Sequence, residues 1–315
     1  MKNLRILFMG TPDFAVQSLD AILKEKMNVV GVVTAPDRPA GRGRKINESA
    51  VKTYASKHGL NILQPTNLKS EEFLEELKSL DIHVSVVVAF RMLPESVWKL
   101  PKYGTFNLHA SLLPQYRGAA PINWAVINGE KKTGVTTFFI DEKIDTGNII
   151  LQKETKIHPE ETVGELHDRL QEIGAGLVVK TLQQIAKNKL ETQQQKETGE
   201  LLPAPKLNPE NTKIDWNDTV DHIYNHIRGL NPYPGAWCYL ENSTDELRVK
   251  IFGVGKMYQE HHSPAGSVNV NAQQIKVAAK NGYVIVKEIQ LPGKRKMDSK
   301  SLLNGFNFAS DAKMR

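Results

Sequence analysis

Residues 82–90, Ile-His-Val-Ser-Val-Val-Val-Ala-Phe, form a short run that is almost wholly apolar and dense in β-branched side chains. Such a run asks for burial on both faces, the situation of a central strand in a parallel sheet covered by helices. Two similar runs occupy 4–9 and 28–34, and the stretch between them, 13–24, reads as a helix with Asp13 as its candidate cap. Parallel neighbours need a crossover connection, so this opening predicts an α/β, Rossmann-like domain with a mostly parallel sheet. The turn Gly10-Thr11-Pro12-Asp13 lacks the G-x-G-x-x-G spacing that lets a backbone approach a pyrophosphate. A nucleotide-dependent dehydrogenase is therefore disfavoured.

The same reading continues with helices over 48–58 and 70–80, a short strand at 62–64, a helix at 119–128 and a strand at 134–140. Residues 161–187 carry apolar side chains at helical spacing, but Gly174 and Gly176 leave open one long helix or two or three short ones. A polar run from 190 ends in Leu-Leu-Pro-Ala-Pro at 201–205 and reads as a linker between a first domain, 1–189, and a second, 206–315. The second begins with a helix over 215–228 and continues as alternating segments at 236–240, 247–252, 266–270, 274–278 and 284–291. Five short strands fit a small OB-like β-barrel.

A chain of 315 residues is long enough for two such domains, and 24% charged residues with 40% hydrophobic ones is ordinary for a globular protein. The single Cys238 can form no internal disulfide and no thiol cluster for zinc, which suits a reducing compartment. No apolar run approaches a membrane span. Of the net charge of +6, most lies from residue 206 onward, where 15 Lys and Arg face 11 Asp and Glu. This modest bias is compatible with an acidic polymer as partner.

The chemistry concentrates in residues 106–124. Asn107 and His109 alternate onto one face of a strand, and a turn, Ser111-Leu112-Leu113-Pro114, ends it. An amide and an imidazole thus stand at the carboxyl end of a strand, where open α/β sheets bind ligands. The run Asn107-Leu108-His109-Ala110-Ser111-Leu112-Leu113-Pro114, followed by Tyr116-Arg117-Gly118-Ala119-Ala120-Pro121-Ile122, resembles the signature of the folate-dependent formyltransferases, and most closely the branch that formylates methionyl-tRNA.

The resemblance implies 10-formyltetrahydrofolate as formyl donor, initiator methionyl-tRNA as acceptor and no metal. It implies catalytic roles for Asn107, His109 and Asp145, the last within an Ile-Asp-Thr-Gly loop at 144–147. It also places folate against Ser111, Leu112, Leu113 and Pro114 and against the loop containing Phe90, Met92 and Leu93. A glycine-rich basic loop carries Arg38, Arg42, Arg44 and Lys45, and guanidinium forks suit phosphates. With Lys206, Lys294, Arg295 and Lys296 these are the candidate tRNA contacts. The expected protein is a cytoplasmic monomer, in a bacterium or an organelle of bacterial origin. The catalytic residues alone do not choose the acceptor, because an amino-sugar-nucleotide or glycinamide-ribonucleotide formyltransferase would keep them. The basic loop and appended barrel favour tRNA. A non-catalytic RNA-binding protein on the same scaffold would have no use for the intact constellation.

Overall fold

Arg5–Gly10 (β1) and Asn28–Val33 (β2) pair in parallel, joined by the crossover helix Asp13–Lys24 (α1). Ile6, Leu7, Phe8 and Met9 of β1 are buried, each contributing about 1.5–3 kcal/mol. Pro12 takes the cap position of α1, and Asp13 is the first helical residue, where its charge faces the positive end of the helix dipole. The computed structural model describes residues 3–40, 45–271 and 274–315. Arg38–Ala40 (β3) and Lys45–Asn47 (β4) form a two-stranded antiparallel ribbon. Arg42 and Arg44, between them, lie outside the described residues.

Ala50–Lys57 (α2), Ile62–Leu63 (β5), Glu71–Ser79 (α3), Val84–Val88 (β6), Glu95–Trp98 (α4) and Thr105–His109 (β7) follow. Pro121–Ile127 (α5), Lys132–Phe139 (β8), Ile149–Lys156 (β9) and Val163–Ala186 (α6) complete this part of the chain. The sheet order is β5-β2-β1-β6-β7-β8-β9, so the valine-rich β6 is central, as its composition requires. The strands from β5 to β7 are parallel, and β8 runs antiparallel to β7. Strand order reverses between β1 and β6, which makes the crevice at their carboxyl ends the natural ligand site.

The 24-residue α6 is continuous through its glycines. A Cβ on Gly174 would stand 2.7 Å from Leu108 Cδ2, so the glycine is there to let the helix lie close against β7. Helix propensity disfavours glycine by about 1 kcal/mol, and here tertiary packing overrides it.

By its internal contacts the chain divides into two units, Met1–Gly118 with Thr133–Thr155 and His167–Pro203, and Ala119–Lys132 with Lys156–Leu166 and Ala204–Arg315. The second unit thus takes in α5 and the start of α6 besides the C-terminal residues. Its strands are Ala236–Asn242 (β10), Asp245–Tyr258 (β11), Val268–Val270 (β12), Ile275–Ala279 (β13), Gly282–Gln290 (β14), Met297–Asp298 (β15) and Lys313–Met314 (β16). They pair antiparallel in the order β12-β13-β14-β11-β10-β16, with β15 beside β14. Lys313 pairs with Glu241 on one side and bridges Ser267 on the other, which nearly closes the sheet into an OB-like barrel.

Val220–Arg228 (α7) plugs this barrel with Val220, Ile223 and Ile227. It begins later than its apolar spacing suggests because Thr219 caps it, its hydroxyl accepting from His222 N at 3.2 Å. Asp215 ties the preceding turn to Asn217, and Trp216 still reaches the core. Ser299–Leu303 (α8) is capped by Asp298. Cys238 is in the same core, and burial pushes its thiol up to about 12. Lys206, Lys294, Arg295 and Lys296 are exposed in this unit, Lys296 paired with Glu288. Among the described residues no helix is long and apolar enough to cross a membrane.

Candidate active site

β7 carries the site by simple register. Asn107 pairs with Val87 of β6 and Phe138 of β8, and His109, two residues on, faces Thr136. Both side chains therefore leave the same face of the sheet near its carboxyl edge. Asn107 Oδ1 is enclosed and has no hydrogen-bond partner among the described residues. Such an orphaned acceptor oxygen costs about 1–3 kcal/mol, a cost that folding alone would not retain.

His109 is 6% exposed, with Phe138 edge-on to its ring. Its Nε2 lies 2.8 Å from the carbonyl oxygen of Tyr116. A carbonyl only accepts, so Nε2 carries the proton and Nδ1 is the nitrogen left for exchange. Nδ1 faces Asp145 Oδ2 at 3.8 Å, an ion pair once the imidazole is protonated but too long for a direct hydrogen bond. The same Oδ2 accepts from Gly118 N at 2.9 Å. The fold thereby brings Asp145 to His109 across 36 residues of sequence.

Two backbone conformations serve this arrangement. Tyr116 and Asp145 adopt φ of 61° and 57°, a left-handed region that non-glycine residues visit at a cost of about 1–3 kcal/mol. The loop around Asp145 is closed by Asp141, whose Oδ1 accepts from Lys143 N and Thr146 Oγ1. Gly147 ends it against β8, where a Cβ would stand 1.7 Å from Phe139 O. Gly147→Ala is therefore expected to push the Asp145 loop aside, lowering stability by about 1–3 kcal/mol and lowering kcat more than it raises KM. Thermal unfolding and steady-state kinetics check this, and an unchanged kcat would contradict the loop's close seating.

The Ser111–Pro114 turn is braced from within. Thr136 Oγ1 donates to Ser111 O at 2.6 Å and accepts from Leu113 N at 3.2 Å, and Gln152 Nε2 donates to Leu113 O at 2.9 Å. Ser111 Oγ donates to Gln115 O. Ser111 and Leu113 are buried, Leu112 and Pro114 half-buried. After β6, Phe90 and Leu93 pack on the core cluster that includes Met9 and Val87, whereas Met92 is 73% exposed. Arg38 is exposed, and the residue before it is anchored: Asp37 accepts from Lys52 and Gln64, and these partners hold its carboxyl below the usual range. Lys45 lies on β4.

Sequence reading takes the segment at 193–202 as part of a linker and assigns it no role in the site. Its Gln195 is buried and bonded to Arg117 and to the Asp145 loop, while the Arg117 guanidinium holds Glu197 below the usual carboxylate range. Three consecutive glutamines in a polar run gave no sign of which one is buried.

Residues 2–182 match the formyl transferase family and residues 206–307 the formyl transferase C-terminal domain. The methionyl-tRNA formyltransferase of Flavobacterium johnsoniae is 54% identical over 314 residues, covering 100% of both chains. That of Bacteroides fragilis is 49% identical over 319 residues, covering 100% of this chain and 98% of its own. A solved N-formyltransferase from Helicobacter canadensis, in complex with folinic acid and dTDP-3-aminofucose, shares the fold at a TM-score of 0.66. It is 23% identical, over 93% of this chain and 100% of its own. Family match, full-length identity and the residues gathered on β7 agree: the chain belongs to the methionyl-tRNA formyltransferase family.

Proposed function

We propose that this chain transfers the formyl group of 10-formyltetrahydrofolate to the α-amino group of methionine on initiator tRNA, with Asn107, His109 and Asp145 carrying the chemistry. The observation that carries the proposal is the disposition of His109, tied through Nε2 to Tyr116 O and facing Asp145 through Nδ1, in a chain 54% identical to a methionyl-tRNA formyltransferase over its whole length. The carboxyl edge suits the folate. It offers the apolar Phe90 and Leu93 after β6 and Asn107, whose Oδ1 is enclosed and unpaired among the described residues. When bound there, the folate supplies the formyl carbon.

Attack by a neutral amine places negative charge on the formyl oxygen and leaves a proton to be removed from nitrogen. Asn107 donates its amide N–H to that oxygen. His109 Nδ1 takes the proton and returns it toward the departing nitrogen, so that its imidazolium exists only between the two steps. Asp145, beside Nδ1, stabilises that imidazolium by its charge. Ser111, Leu112, Leu113 and Pro114 hold the edge against which the folate lies.

In this reading residues 1–189 are the catalytic domain, 190–205 connect, and 206–315 bind tRNA, the protein acting as a cytoplasmic monomer. Arg38, Arg42, Arg44 and Lys45 with Lys206, Lys294, Arg295 and Lys296 are the phosphate contacts. Arg42→Ala tests this part. It is expected to lower kcat/KM for methionyl-tRNA and to reduce the slope of log affinity against log salt by about 1, while leaving slow formylation of free methionine unchanged. An equal defect with both acceptors would remove the basic loop from tRNA binding.

A further inference from the structure

We propose that residues 193–202, which in sequence look like a connecting linker, act as a strap that positions the catalytic groups, and that Gln195 is its positioning residue for Asp145. The inference rests on the role given to Asp145 above and adds what holds Asp145 in place.

The strap begins where Gln193 and Ile149 exchange backbone hydrogen bonds, both 2.8 Å, pinning it to the start of β9. Gln195 is 8% exposed and uses its amide in both directions. Its Oε1 accepts from Arg117 Nε and NH2 at 3.1 and 2.7 Å, and its Nε2 donates to the carbonyl oxygens of Asp145 and Gly147 at 2.8 and 2.9 Å. One side chain thus spans the two loops that meet at His109: the loop of Arg117, one residue from the Tyr116 carbonyl, and the loop of Asp145. Further on, Leu202 O accepts from Tyr116 N at 2.7 Å, and Gln115 bonds Glu200 O and Leu202 N, both at 2.9 Å. The residue that turns its carbonyl to His109 is held by the strap through its own N–H. The positive φ of Tyr116 and Asp145 is a conformation that surroundings must impose. These hydrogen bonds impose it.

Gln195 is bifunctional in a way that neither Glu nor Met reproduces: it accepts from a guanidinium and donates to two carbonyls. Glu at 195 would keep, and strengthen, the pairing with Arg117 but would turn an acceptor toward both carbonyls. Met would approximate its size and make neither set of bonds. If the strap serves stability alone, Gln195→Glu should retain activity because the charged pair holds it down. If Gln195 positions Asp145, both variants lose kcat.

The experiment measures formyl transfer with methionyl-tRNA and 10-formyltetrahydrofolate for the full chain carrying Gln195→Met, Gln195→Glu, Asp145→Asn and the Asp145→Asn/Gln195→Met double variant, with thermal unfolding alongside. Both Gln195 variants are expected to lose about 10- to 100-fold in kcat with each KM within about twofold. In the Asp145→Asn background the Gln195→Met effect is expected to shrink to less than about twofold, because a residue acting through Asp145 has nothing left to position. A wild-type kcat for Gln195→Glu, or a Gln195→Met effect that multiplies fully with Asp145→Asn, overturns the inference. An Asp145→Asn variant with wild-type kcat would instead overturn the role of Asp145 itself.

Discussion

Asn107→Ala is expected to slow single-turnover formyl transfer by about 100- to 1,000-fold, the range found when one oxyanion donor is removed, with the affinity for tRNA within about twofold. The site explains why the loss should fall on the chemical step. Asn107 sits inside β7, its register fixed by Val87 on one side and Phe138 on the other, so truncation leaves the ladder intact. Its Oδ1 has no partner among the described residues, so none of their hydrogen bonds is broken at that atom. The variant should be at least as stable as the parent, because it removes an orphaned buried polar group. Rapid-quench kinetics with saturating substrates reads the step directly. A variant with weakened tRNA binding and a normal single-turnover rate would take Asn107 out of the chemistry.

His109→Ala should lower the same rate by about 100- to 10,000-fold, the usual span for a positioned acid–base group. The ring is held by Tyr116 O at Nε2 and by the edge-on Phe138, so nearly all of its freedom has been removed before substrate arrives. Asp145→Asn should cost less, because it removes the charge beside Nδ1 while keeping an acceptor for Gly118 N. The order of severity, His109→Ala above Asp145→Asn, follows from direct against indirect contact with the moving proton. Asp145→Asn exceeding His109→Ala would mean that the carboxylate, and not the imidazole, handles the proton.

Much of this was legible in the sequence where the signal is local. The run at 82–90 required a central strand, and β6 is one. Asn107 and His109 shared a face because a strand alternates, and they do. Asp145 carried no such local signal; its likeness to a family loop pointed to it, and only the fold shows its distance from His109. The silence at Gln195 has a physical cause: its partners lie 48 to 78 residues away, and a buried polar side chain has no periodicity to betray it. Continuity of α6 was equally hidden, since Gly174 reads as a helix breaker until Leu108 is seen against it. The two-residue strands β15 and β16 are too short for an alternating pattern, yet β16 nearly closes the barrel. Arg42 and Arg44 lie outside the described residues, and their part rests on charge and resemblance.

The most direct measurement is single-turnover formyl transfer from 10-formyltetrahydrofolate, offered methionyl initiator tRNA or an amino-sugar nucleotide, with a protein-free control. Transfer to methionyl-tRNA, abolished together with the Asn107 amide and the His109 ring, is the predicted result. Transfer to the sugar nucleotide alone would leave the folate chemistry on β7 standing and contradict tRNA as the acceptor.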